Sequence, residues 1–191
     1  MEIKDYEAMG VFDEDQLMII RVGLAHGLDV SAYAKPEFDV KQMRQIRTGL
    51  RDNLDVSVYA DPKYDFVQMY EIRYGLTLGL DVSVYAKPEY SAGQMKQIRS
   101  GLEEGLDVLI YANTRFNESQ MLEIRLGLKQ GLDVSLYGDP KYDDDQMAEI
   151  RLGLLEGLDV SLYTNDSLTA DDMMMIRNSL EKRKVQSLKS F

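Results

Sequence analysis

Apolar and polar positions along this chain follow two periods at once, a helical one and a longer step of 26 residues. Leu-Asp begins at Leu28, Leu54, Leu80, Leu106, Leu132 and Leu158, and an Ile-Arg pair keeps the same spacing from Ile20-Arg21 to Ile176-Arg177. A fixed period of this length is the mark of a tandem array, in which one unit cannot bury its apolar side alone and must stack on its neighbours.

Residues 65–90 show the signals that start and stop a helix within each unit. Asp65 and Gln68 have capping-box spacing, with Tyr64 before the cap and Met69 placed to form a hydrophobic staple. The box recurs as Asp13/Gln16, Asp39/Gln42, Ser91/Gln94, Asn117/Gln120, Asp143/Gln146 and, weaker, Thr169/Asp172. Gly79 and its equivalents predict a left-handed closing residue, and Asn53 stands in that place in the second unit. The spacing predicts a long helix of about 13 residues, close to ~20 Å. Leu80-Asp81-Val82-Ser83-Val84-Tyr85 is open to two readings. Asp81 suits the cap of a second, short helix, whereas Val-Ser-Val-Tyr also alternates like a strand; the helical hairpin is preferred.

The predicted fold is therefore all-α: an elongated solenoid of about seven helical-hairpin repeats. It is expected to form one repeat domain spanning 1–191, with an N-terminal cap at 1–12, six full repeats at 13–168, and a partial seventh repeat plus C-terminal cap at 169–191. On a helical wheel Gln68, Met69, Ile72, Arg73, Gly75 and Leu76 share the arc that repeats. Phe66, Val67, Tyr70, Glu71, Tyr74, Thr77 and Leu78 share the arc that varies. The repeating arc should be the stacking core. The mid-helix glycines (Gly75 and its equivalents) suggest close backbone approach between neighbouring units.

Two polar ladders accompany this core. Arg21, Arg47, Arg73, Arg99, Arg125, Arg151 and Arg177 are expected to be structural, paired with Asp29, Asp55, Asp81, Asp107, Asp133 and Asp159 or with helix-end carbonyls. The tyrosines from Tyr33 to Tyr163 are expected in the core. The variable arc is where a partner should bind, with Phe66, Tyr70, Glu71, Tyr74 and Leu78 as the candidate contacts. Leu122, Leu126, Leu152 and Leu155 are a second, weaker candidate.

Composition narrows the function. The chain has 45% apolar and 29% charged residues, no cysteine and a net charge of -11. It lacks an apolar run long enough for a membrane span, and its start lacks a signal-peptide pattern, so a cytoplasmic setting is expected. The acidity disfavours direct nucleic-acid binding and favours basic partners. No nucleophile elbow, phosphate loop or metal-ligand cluster is present. His26 is the only histidine, and Asp139 with Asp143-Asp144-Asp145 lacks the glycine and distal glutamate of a calcium loop. A non-enzymatic protein without cofactor or metal follows, with homo-oligomerisation left open.

The unit Gln-Met-x-x-Ile-Arg-x-Gly-Leu-x-x-Gly-Leu-Asp-Val-Ser-x-Tyr-Ala-x-Pro, as in residues 68–88, resembles tandem repeats in uncharacterised mobile-element and phage proteins of gut Firmicutes. The resemblance implies a mobile-element setting. It brings in a second expectation: an anti-CRISPR-like inhibitor that occupies the nucleic-acid channel of a basic effector nuclease.

Overall fold

The computed structural model describes residues 1–189. Its helices are α1 Ile3–Met9, α2 Glu14–Ala25, α3 Val40–Arg51, α4 Phe66–Thr77, α5 Ala92–Glu103, α6 Glu118–Lys129, α7 Asp144–Leu155 and α8 Ala170–Lys189. A three-residue 3-10 turn follows each of α2 to α7, and there is no strand among the described residues. The chain divides into two compact units, Met1–Arg99 and Ser100–Phe191. Within each, consecutive helices pack against one another.

Each long helix begins at a reciprocal box. The Asp65 carboxylate accepts from the Gln68 amide at 2.9 Å, and the Asp65 amide donates to Gln68 Oε1 at 2.8 Å. This leaves the Gln68 side-chain amide free to donate outward, and it does so to the next repeat, reaching the Tyr90 carbonyl at 2.6 Å and that of Pro88 at 3.2 Å. Gln16 and Gln42 repeat this contact in the first unit, Gln120 and Gln146 in the second. One side chain thus starts its own helix and fixes the neighbour's entry into the following one.

The helix closes at Gly79, whose φ of 69° only glycine or asparagine adopts cheaply; Asn53 does so at 55°. The Leu80 amide returns to the Gly75 carbonyl at 3.0 Å. Asp81 then caps a single turn, Val82–Val84, accepting from the Ser83 amide at 3.1 Å and hydroxyl at 2.6 Å. The second element of each repeat is therefore a 3-10 turn rather than a strand.

Met69, Ile72 and Tyr85 are fully buried, as are their equivalents in the other central repeats. The Tyr85 hydroxyl donates to the Glu71 carbonyl at 3.2 Å and lies against Gly75, where a Cβ would collide with it and with Val82. The mid-helix glycine thus makes room for the tyrosine and valine of its own repeat. The expected close backbone approach between repeats is not the reason for it. Ser179, the counterpart of these glycines in α8, is exposed, because that helix runs on without the short turn that brings the tyrosine back in the other repeats.

The caps hold more structure than their sequence implied. α1 buries Tyr6 and ties Glu7 to Arg21 at 2.9 Å. Past Leu180, α8 runs on to Lys189, and Lys184 donates to the Glu156 and Gly157 carbonyls at the end of α7.

Two measurements test the tyrosine–glycine lock. Gly75→Ala is expected to cost about 2 kcal/mol in urea unfolding through overpacking. The same change in a Tyr85→Phe background should cost distinctly less, because the colliding hydroxyl is gone; equal costs would contradict the packing described. A second expectation concerns alkaline pH. Burial pushes Tyr33 and Tyr163 up to about 12 and raises Tyr59, Tyr85, Tyr111 and Tyr137 as well. The unfolded chain ionises its phenols near the ordinary value of 10.0 while the fold retains its protons. Stability should hold below pH 10 and fall steeply as pH rises from 10 to about 12, with phenolate absorbance appearing together with loss of helical circular dichroism.

Candidate partner-binding face

The arginine ladder sits between successive helices and pairs with the helix before it. Arg99 Nε meets Glu71 at 2.7 Å, Arg151 meets Glu123 at 2.7 Å, and Arg177 meets Glu149 at 2.8 Å. Arg73 finds Gln45 at 3.0 Å in the equivalent place, and Arg125 takes Glu104 at 2.7 Å. The expected pairing with the aspartate ladder does not occur. Those aspartates accept instead from the amide two residues on, and Asp29, Asp55, Asp81, Asp133 and Asp159 also hold a serine hydroxyl. A local serine donor two residues away outcompetes a long side chain from another repeat, because holding it costs less side-chain entropy.

These pairs form the floor under the variable arc. On α4, Tyr70 and Tyr74 stack in parallel, with centroids 5.9 Å apart and planes inclined by 4°. Each aromatic ring of the stripe carries a cation: Lys41 lies 4.5 Å from the Phe66 centroid, Arg73 5.5 Å from Tyr70, and Arg99 4.6 Å from Tyr74. Cation–π contact and stacking hold the rings in place before any partner arrives. Apolar surface nevertheless stays in water, at Val67, Tyr70 (40% exposed) and Leu78.

Four of the five expected contacts fall on this face: Tyr70 and Leu78 exposed, Phe66 and Tyr74 half-buried at its edge. Glu71 does not join them. It is buried beneath the stripe with its carboxylate on Arg99, so it holds the face from below. A wheel drawn on one helix could not show this, because the buried position is created by the next repeat's arginine. In the second unit, Leu155 is exposed while Leu122, Leu126 and Leu152 are half-buried. The net charge also hid a local contrast. The exposed charges on the variable arc of α3 and the start of α5 are Lys41, Arg44, Arg51 and Lys96, against Asp52.

Among the described residues no cluster of acids and histidine is arranged to hold a metal ion, and no helix is long and apolar enough to cross a membrane. Comparison with protein-family models, curated proteins and solved structures finds no match for the chain.

The floor makes its own prediction. Glu71→Ala removes the buried carboxylate that the Arg99 guanidinium meets between helices and should destabilise by about 3 kcal/mol. Glu71→Gln should cost less than half of that, since Gln45 already serves Arg73 in this way. Thermal unfolding of both variants distinguishes a buried pair from a surface one, for which neither change would matter.

Proposed function

We propose that this chain is a non-enzymatic helical-repeat module that binds a protein partner through the variable face of its long helices, with the α4 stripe as its principal contact. The observation that carries this reading is the combination of order and exposure at Tyr70. Its ring is stacked on one side and met by a guanidinium, yet it leaves apolar surface in water beside Val67 and Leu78. Preorganised aromatics with little entropy left to lose are typical of interface hot spots.

A second reading draws on acidity. The starts of α2 and α7 carry Glu14 and Asp15, and Asp143, Asp144 and Asp145, while Leu155 lies exposed at the end of α7. Such surfaces suit a mobile-element inhibitor that competes with nucleic acid for a basic effector such as a CRISPR nuclease in the cytoplasm. Binding of that kind would weaken steeply with salt and be displaced by nucleic acid.

Affinity capture with the wild-type chain and with a Val67→Ser/Tyr70→Ala variant tests the first reading. The variant should keep its helical circular dichroism and lose about 2 kcal/mol of affinity for any captured protein. Capture that is unchanged by the variant but abolished by salt and competing nucleic acid would favour the acidic surfaces instead.

A further inference from the structure

The arginine ladder breaks once. Apart from Arg21, which takes Glu7 in the N-terminal cap, its paired members reach back to one or both of two positions in the preceding repeat. The first lies 28 residues earlier and is filled by Gln45, Glu71, Glu123 and Glu149. The second lies 21 residues earlier and is filled by Glu104, Gln130 and Glu156. For Arg47 these two positions hold Ile19 and His26, and neither offers an anion. Among the described residues no hydrogen bond or ion pair engages the half-buried Arg47 side chain.

What surrounds it is a small niche of about 80 Å³, lined by Val22, His26, Leu28, Arg47, Thr48 and Arg51. His26 is bonded through Nδ1 to the Val22 carbonyl at 2.7 Å, which leaves Nε2 for another group. Arg51 is partly engaged by its neighbour Asp52 at 3.0 Å. Two guanidinium groups and an imidazole therefore border one space with apolar walls; the Thr48 hydroxyl beside them gives its proton to the Arg44 carbonyl at 2.8 Å, and no carboxylate lines the niche.

We propose that this niche is a carboxylate-binding site, completed by a glutamate or aspartate side chain of an acidic partner segment. The proposal rests on the variable face being the binding face and specifies the chemistry recognised there. Five ladder arginines take a carboxylate from the chain itself: Arg21 takes Glu7, Arg99 Glu71, Arg125 Glu104 and Arg151 Glu123, while Arg177 takes both Glu149 and Glu156. The partner supplies at Arg47 what the repeat omits there, and a guanidinium fork beside a half-buried wall suits a carboxylate in two-point contact. Exposed Arg44 one turn earlier extends the positive surface that such a segment would meet.

The niche can be read directly, because His26 is the only histidine and its ring signals are unique. Sodium glutarate and sodium phosphate are titrated separately into the wild-type chain and into Arg47→Met, at low ionic strength, with the ring followed by NMR. Glutarate should move the His26 signals in the wild type and not in Arg47→Met. A larger response to phosphate would overturn the carboxylate assignment, and silence to both, or an equal response in Arg47→Met, would overturn the niche.

A random 12-residue peptide display selection then separates this inference from the binding face itself. The wild type should enrich peptides containing Glu or Asp, and these should bind His26→Glu at least about tenfold more weakly, since its new carboxylate stands where Glu104 serves Arg125. Because His26 is exposed, this variant tests the site even if Arg47→Met fails to fold. Peptides that require Tyr70 but bind His26→Glu undiminished would end the inference and leave the face standing. A selection yielding no peptide that requires Tyr70 would end both.

Discussion

The architecture depends on a side-chain amide with two ends. Gln68 accepts from the cap of its own helix through Oε1 and donates to the Tyr90 carbonyl of the next repeat through its amide nitrogen. Glutamate would complete the box equally well but has no proton to give at neutral pH, so it would set a carboxylate against two carbonyl oxygens. This is why the box in the central repeats is closed by glutamine and never by glutamate. Local helix initiation and contact between repeats then become one event, which makes neighbouring repeats cooperative.

Inside each repeat the same economy holds between Tyr85 and Gly75. The phenol spans from the short turn back to the middle of the long helix, and the absent Cβ is the space it enters. A glycine in mid-helix costs about 1 kcal/mol of propensity, which the buried ring and its hydrogen bond offset.

Helix starts, stops and the buried Met-Ile-Tyr set were legible in the sequence, because each is a local pattern repeated with one step. The ladders were legible as ladders but not as pairs. Asp81 and Arg73 are both invariant in spacing and opposite in charge, yet Ser83 claims the aspartate and Gln45 receives the arginine. The candidate face was legible only in part for the same reason. Tyr70 could be placed on an outward arc from its own helix, whereas the burial of Glu71 is created by Arg99, a residue 28 positions away. Counting charge over the whole chain also averaged away the basic side chains of α3.

The last helix departs from the others at the two positions that speak to a following repeat. Asp172 stands where an amide donor is needed, and Met175 stands where Glu149 and its counterparts receive an arginine. Duplication of the unit that carries Gln120 and Glu123 would reproduce both contacts, so arrays of this kind can lengthen or shorten from within during evolution. A unit appended behind α8 would meet neither partner, and growth at that side would require those two residues to change first.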